Sequence, residues 1–338
     1  MLQAGHADWS RRAVLEGGLL SGIGAALPAV LRAADPGNAA AALARLPIIT
    51  KVIPSTGERI PAIGLGTNSF TADHYGELRD VLKRMHELGG AFIDSSSDYG
   101  DSEVVIGRAL TELGIRKQMF VATKCISEHG SPKWVSSADK IEKIFGQESF
   151  DRSLQRLQVN QVDLMLAHHL ASVDGIMPKL IEWKKAGKTR YIGICTMRWF
   201  EHGELMEKMR RYPIDFIQVD YSIGNREAAS DVLPLAAERK IAVLLDIPLK
   251  FRADWGSHGD SLFQNLGKAP LPPWAADIDV TSWVQFILKY SISHPAVTCA
   301  MPGTTKVEHL AENQFAGRGR LPDAAMRRKM EEYWDAVS

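Results

Sequence analysis

From about residue 46 onward, short apolar runs alternate with longer stretches whose apolar residues recur at helical spacing. The runs are Ala62–Leu65, Ala91–Ile93, Phe120–Thr123, Val162–Leu166, Tyr191–Ile194, Phe216–Val219, Ala242–Leu245 and Val297–Ala300. Each is too short for a helix and reads as a strand buried on both faces. Amphipathic stretches lie between them, among them Tyr75–Leu88, Ser102–Leu113, Gln147–Leu157, Gly175–Ala186, Arg226–Glu238 and Val280–Ile292. Strand followed by helix, eight times over roughly 250–290 residues, predicts an α/β fold, the (β/α)8 TIM barrel, spanning 46–338. A doubly wound sheet would want a glycine-rich turn after its first strand, and Gly64-Leu65-Gly66-Thr67 has no third glycine. Ahead of the barrel, Ile48–Ile53 and Arg59–Ile60 flank Ser55-Thr56-Gly57-Glu58, which predicts a short N-terminal hairpin. Asp323–Glu332 reads as a solvated terminal helix.

Residues 1–45 have a different texture. Trp9-Ser10-Arg11-Arg12-Ala13-Val14-Leu15 precedes a Gly/Ala/Leu-rich stretch that runs to Val30, and an alanine-rich spacer follows to Ala44. A basic start, a weakly apolar middle and small residues beyond describe an export signal followed by a flexible spacer. The arginine pair resembles the twin-arginine type, with Val14 and Glu16 in place of its usual phenylalanine and lysine. Removal is expected between Ala29 and Ala44. Gly22-Ile23-Gly24 is no dinucleotide fingerprint, because no strand precedes it and no third glycine follows.

Composition narrows the classes. Forty basic and forty acidic side chains cancel, which argues against a nucleic-acid partner. Apolar residues at 45% and charged residues at 24% are those of a folded globular chain. Three cysteines, at 125, 195 and 299, are too few and scattered for a disulfide framework or a four-ligand zinc site. No uninterrupted apolar run is long enough for a membrane span.

In a parallel barrel, chemistry gathers where strands end and loops begin. The second predicted strand ends at Asp94 and runs into Ser95-Ser96-Ser97-Asp98-Tyr99-Gly100-Asp101-Ser102-Glu103. The third ends at Lys124, and the fourth at Ala167 before His168-His169. Each of Asp94, Tyr99, Lys124 and His168 has a plain structural account: a turn cap, a packed loop aromatic, an ion pair, a core imidazole. On one rim from consecutive units they form a coherent acid–base set. A phenol has a pKa of about 10, and an ammonium beside it favours the phenolate and lowers that value. Asp94 would hold Lys124 charged and in place, and His168 would orient a carbonyl oxygen. Such a set can protonate an oxygen whose carbon is receiving a hydride. His168-His169 is set aside as a metal pair, since strand neighbours point to opposite faces, and no metal is expected.

These residues resemble the aldo-keto reductases, from about Ile60 to Asn313. Gly64-Leu65-Gly66-Thr67 resembles the family's first-strand motif, and Asp94 with Tyr99-Gly100-x-Ser102-Glu103 its aspartate–tyrosine signature. Ala122-Thr123-Lys124 is similar to its lysine strand and Asp163-Leu164-x-x-x-His168 to its histidine strand. Gly187-Lys188-x-Arg190-Tyr191-Ile192-Gly193-Ile194 and Gln218-Val219-x-Tyr221-Ser222 continue the likeness. Pro302-Gly303-Thr304-x-Lys306-x-Glu308-His309-Leu310-x-Glu312-Asn313 completes it. The resemblance implies a reductase of an aldehyde or ketone that uses NADP(H), with NAD(H) as the alternative, the cofactor extended across the barrel mouth. It implies Tyr99 as general acid, Lys124 and Asp94 as its tuning pair, and His168 as the group that orients the carbonyl. Gly66 and Thr67 join the cofactor site through the first-strand motif. Thr196 and Gln218 would meet the nicotinamide amide, and Pro248 and Leu249 the pyrophosphate. Gly303 opens the segment in which Thr304, Thr305 and Lys306 would face the adenosine phosphate, with Glu312 and Asn313 near the adenine.

The chain departs from that pattern in three places. Cys195-Thr196 stands where many members carry Ser-Asn, so a hydroxyl replaces a carboxamide. Asp246 stands where an aromatic residue commonly stacks on the nicotinamide, and His309 replaces an arginine at the 2′-phosphate, leaving Lys306 as the cation. A second reading is therefore a cofactor-holding sensor with little turnover, as in potassium-channel β-subunits. Phe251–Trp274 predicts a long loop, a lid or specificity wall, with Trp255, Phe263 and Trp274 lining a pocket or simply packing. Little free NADPH exists outside the cytoplasm, but the twin-arginine machinery exports folded proteins, so the cofactor could travel bound. A periplasmic location is expected, with cytoplasmic retention as the alternative.

Overall fold

The structure, a computed structural model, describes residues 36–126, 146–250, 261–266 and 269–338. An antiparallel hairpin comes first, β1 (Thr50–Val52) and β2 (Arg59–Pro61), with Lys51 opposite Ile60. Eight parallel strands follow: β3 (Leu65–Gly66), β4 (Phe92–Asp94), β5 (Phe120–Cys125), β6 (Val162–Ala167), β7 (Thr189–Cys195), β8 (Phe216–Asp220), β9 (Ala242–Asp246) and β10 (Val297–Ala300). They pair in chain order from β3 to β10. The two remaining edges then meet, Ile63 bridging Ala300 and Gly66 bridging Gly303. Ala300 N donates to Ala62 O and Gly64 N to Ala300 O, both at 2.9 Å. A side chain at Gly66 would sit 3.0 Å from Met301 O, so glycine lets this seam close. The barrel is complete.

Strand alternation sorts the side chains into two layers. Phe92, Phe120, Ala122, Leu164, Leu166, Tyr191, Phe216, Ala242, Leu244, Cys299 and Met301 fill the interior, joined by Ile53 and Ile60 of the hairpin. The alternate positions, such as Ile93, Val121, Met165, Ile192, Ile217 and Val243, face the helices. The hairpin is latched across the barrel's lower end. Tyr191 donates to Glu58 at 2.6 Å, Arg190 pairs with Glu58, and Arg190 also reaches Asp163 at 2.8 Å. Two motif residues, Asp163 and Arg190, thus work in the scaffold rather than at the mouth.

Around the strands lie α1 (Pro36–Ala44), α2 (Tyr75–Glu87), α3 (Ser102–Glu112), α4 (Gly146–Leu157), α5 (Val173–Lys185), α6 (His202–Arg211), α7 (Val232–Glu238), α8 (Phe263–Leu266), α9 (Trp283–Ser293), α10 (Val307–Ala316) and α11 (Ala324–Val337). The stretch expected to be one helix over Arg226–Glu238 is divided. A short 3-10 turn over Glu227–Ala229 precedes α7, because Asp231 leaves helical geometry and its carboxylate accepts from Val232 N at 2.7 Å. Where a spacer was expected, residues 36–44 are helical, and Leu43 of α1 is buried against Leu88 and Phe315. Trp274 packs on Phe286 and Tyr333 with Lys329 over its ring, so it serves the outer layer rather than a pocket. The arginine pair at 11–12 and Trp255 lie outside the described residues. Among those residues, no helix is long and apolar enough to cross a membrane.

Candidate active site

The alternation that fills the barrel also decides what crowns it. Counting by twos from the interior residues, the inner set at the strand ends is Asp94, Lys124, His168, Cys195, Gln218 and Asp246. Lys124 is 0% exposed and Asp94 4%. The Lys124 ammonium donates to Asp94 Oδ2 at 2.7 Å, to Ser95 O at 3.0 Å and to Tyr99 Oη at 3.4 Å, which uses all three protons. Gln218 Nε2 reaches the same Asp94 oxygen at 3.2 Å. Burial alone would push the Lys124 ammonium down, but Asp94 and Tyr99 outweigh it and hold the group well above the usual lysine range. The phenol of Tyr99 goes the other way from expectation. Burial raises it, Lys124 lowers it, and Asp94 and Asp246 raise it further, so its pKa lies well above the ordinary value. Tyr99 therefore keeps its proton at neutral pH. The ammonium alone would lower the phenol, and desolvation outweighs it.

The Tyr99 loop is built into the sheet. Ser95 N and Ser97 N donate to Ala122 O and Lys124 O, extending the ladder beyond β4. Gly100 at φ +54° turns the chain into α3, a conformation that glycine adopts without strain. Thr67 donates to Asp94 O at 2.8 Å and its hydroxyl is 2.7 Å from that of Ser102. Thr67 thus braces the aspartate from beneath. Arg156 of α4 reaches Ser97 O at 3.1 Å and Glu103 at 3.6 Å, pinning the far side of the loop.

His168 lies just past β6, with Nδ1 3.1 Å from both Ser96 Oγ and Asp98 Oδ1. Its ring meets the Tyr99 ring edge to face at 5.5 Å. Ser96 and Asp98 orient this imidazole, and no sequence motif had singled them out; their placement beside Tyr99 in the loop was the available signal. Burial pushes the Asp98 carboxyl up, but His168, Ser96 and His169 more than reverse this and hold it well below the usual carboxylate range. His169 does not point to the opposite face. Its ring stacks on His168 at 4.3 Å and 12°, and Asp98, His168 and His169 bring a ligand-type atom each to within 4.8 Å of one another. Strand alternation stops applying at Ala167, where Ser172 N and Oγ both bond His169 O and bend the chain into a 3-10 turn. Burial and the neighbouring His168 push the His169 imidazole down to about 2, so it is uncharged.

The cofactor set divides. Gly66 lies in register with Asp94 and bridges Gly303, which brings Asp94 and the seam glycines onto one stretch of rim. Gln218 is buried with Oε1 unpartnered among the described residues, as is Asp94 Oδ1. Thr304 accepts from Lys306 N at 3.1 Å, and Lys306 is the exposed residue capping α10, on which Glu312 is half-buried and Asn313 buried. Pro248 and Leu249 follow Ile247, whose φ of +38° turns the chain sharply after Asp246. Thr196 differs from expectation: its hydroxyl donates to Glu201 and accepts from Arg198 N at 3.1 Å, so its proton is already committed. Burial raises both the Asp246 carboxyl and the Cys195 thiol. All three cysteines are free and buried.

Residues 62–332 match the sequence profile of the Aldo/keto reductase family. An aldo-keto reductase of Schizosaccharomyces pombe, named for NADP(+), is 28% identical over 80% of this chain and 87% of its own. A methylglyoxal reductase of Salmonella typhi is 30% identical over 76% of this chain and 87% of its own. Among solved structures, an aldo-keto reductase of Klebsiella pneumoniae in complex with NADPH superposes with a TM-score of 0.65 at 24% identity, covering 85% of this chain and 96% of that one.

Proposed function

Because the chain belongs to the aldo/keto reductase family, we propose that it reduces an aldehyde or ketone with NADP(H) and that Tyr99 donates the proton. The observation that carries this reading is the contact chain Asp94–Lys124–Tyr99 on the inner rim beside His168. NADPH, when bound, supplies a hydride to the carbonyl carbon. Tyr99 holds its proton at Oη until the carbonyl oxygen becomes basic, then donates it. Lys124, locked by Asp94 and Ser95, sets a positive charge 3.4 Å from the oxygen that has lost the proton. His168, oriented by Ser96 and Asp98, orients the carbonyl. The residues fit the cofactor at both ends. The unpartnered Oε1 of Gln218 suits an amide N–H. Thr304, Thr305 and exposed Lys306, just ahead of α10, suit a phosphate at a helix N-terminus.

Loss of NADPH absorbance against a panel of aldehydes, ketones and quinones tests the reading. Wild type should turn over at least one of them, and Tyr99→Phe should lower kcat by about 10²–10⁴ while keeping NADPH affinity. A full rate in Tyr99→Phe refutes the assignment. The sensor reading has one observation on its side: the Thr196 proton goes to Glu201. Tight NADPH binding with no oxidation by any carbonyl would favour it.

We also propose that the folded protein leaves the cytoplasm by the twin-arginine machinery for the periplasm, on the strength of Arg11-Arg12 ahead of the apolar stretch to Val30. Free, buried cysteines suit a chain that folds in a reducing compartment. Since Leu43 is buried, removal before Pro36 is the choice that leaves α1 whole. Fractionation of cells expressing the native chain and an Arg11→Lys/Arg12→Lys version decides. Export of both, or of neither, sinks the idea.

A further inference from the structure

We propose that Asp98, His168 and His169 form a binding site for a divalent transition-metal ion of the Zn2+ type, and that its occupancy switches the reductase off. Two imidazoles and one carboxylate are a donor set that zinc accepts in sites that keep a coordination position open. The three ligand-type atoms lie within 4.8 Å of one another. One edge of the polyhedron is already formed, because His168 Nδ1 and Asp98 Oδ1 are 3.1 Å apart. Ligands about 2.1 Å from a shared tetrahedral or octahedral ion stand about 3.0–3.4 Å from each other. To close the other edges, the His168 and His169 rings, parallel to within 12°, must turn toward a shared point on backbone that is already held. His168 N donates to Cys125 O at 2.9 Å, and Ser172 grips His169 O through both its N–H and its hydroxyl.

Orientation of His168 for catalysis accounts for Ser96 and Asp98 but not for His169. The second imidazole, stacked on the first, brings a further ligand-type atom within 4.8 Å of the other two and makes the group a metal-type set. The switch rests on the carbonyl-reductase reading above. An ion on His168 withdraws that imidazole from the carbonyl, and its two positive charges stand beside a phenol that must keep its proton until the carbonyl takes it.

The test uses the full metal-free chain titrated with Co2+ and then Zn2+, with NADPH oxidation measured in parallel. Wild type should bind one Co2+ with a visible absorption band that Zn2+ displaces. His169→Phe keeps a ring against His168 but removes the ligand, and Asp98→Asn weakens the carboxylate corner. Each should weaken Zn2+ by at least the roughly 10–100-fold that loss of a supporting group costs. Zn2+ should inhibit the wild type, while His169→Phe keeps its basal rate and resists the ion. No Co2+ band in wild type, or equal Zn2+ affinity in His169→Phe, overturns the site. Binding that both variants weaken but that leaves NADPH oxidation unchanged overturns the switch. If no carbonyl is reduced at all, the reductase reading has failed, and the two metal titrations still decide the site.

Discussion

Lys124→Met removes a charge from a place that water does not reach. The Lys124 ammonium is 0% exposed, and the negative charge it faces, Asp94, is 4% exposed. Asp94 would keep only the neutral Gln218 amide at 3.2 Å on Oδ2, while Oδ1 already has no partner among the described residues. Leaving one member of a buried pair unpaired costs about 3–5 kcal/mol, because its desolvation is no longer offset by Coulomb attraction. Lys124→Met/Asp94→Asn removes both charges and leaves neutral groups, whose missing hydrogen bonds cost about 1–3 kcal/mol. The double variant should therefore be more stable than the single one by about 2 kcal/mol. Urea unfolding followed by tryptophan fluorescence measures this. Equal loss in the single and double variants would refute the electrostatic account. Both should be catalytically dead.

Three further outcomes follow from the geometry. If Lys306 faces the 2′-phosphate as proposed, Lys306→Ala should weaken NADPH by about tenfold or more and NADH far less, through loss of a charge-assisted bond; fluorescence titration with both nucleotides checks it. Gly107→Ala puts a Cβ 2.2 Å from Arg156 O and 2.7 Å from Leu157 C, both backbone, so α3 and α4 must part. Its thermal midpoint should fall, with a cost of about 1–3 kcal/mol, and an unchanged midpoint would deny the close approach. His294 is pushed down to about 4 from 6.5 by burial, with Arg327 and Lys51 adding. The unfolded chain binds that proton first, so this residue's stabilising contribution is lost as pH falls from 6.5 toward 4. His294→Gln should flatten the acid limb of a plot of urea midpoint against pH by up to about one proton.

Much of the architecture is legible from local pattern. A buried parallel strand announces itself as an apolar run, and in a parallel sheet every strand ends on the same rim, so Asp94, Lys124 and His168 could be brought together on paper before any fold was seen. The α2, α3 and α4 boundaries fall within a residue of the periodicity for the same reason, since each helix buries one face. The break in Arg226–Glu238 was less visible. It depends on Asp231, which leaves helical geometry and caps α7 by accepting from the backbone N–H of its first residue, Val232, a local preference that hydrophobic spacing does not record.

By itself, then, the sequence determined the strand order, the closed parallel barrel and the identity of the residues on its mouth, because these follow from a period of two and from chain direction. Only the tertiary structure decided what those residues do to one another. It closed the seam where Gly66 meets Gly303, assigned the Thr196 proton to Glu201, laid His169 against His168, and kept the Tyr99 phenol protonated against the pull of Lys124. Each of these turns on desolvation and on distances of a few ångströms between residues far apart in the chain. Neither quantity is written in the spacing of residues along it.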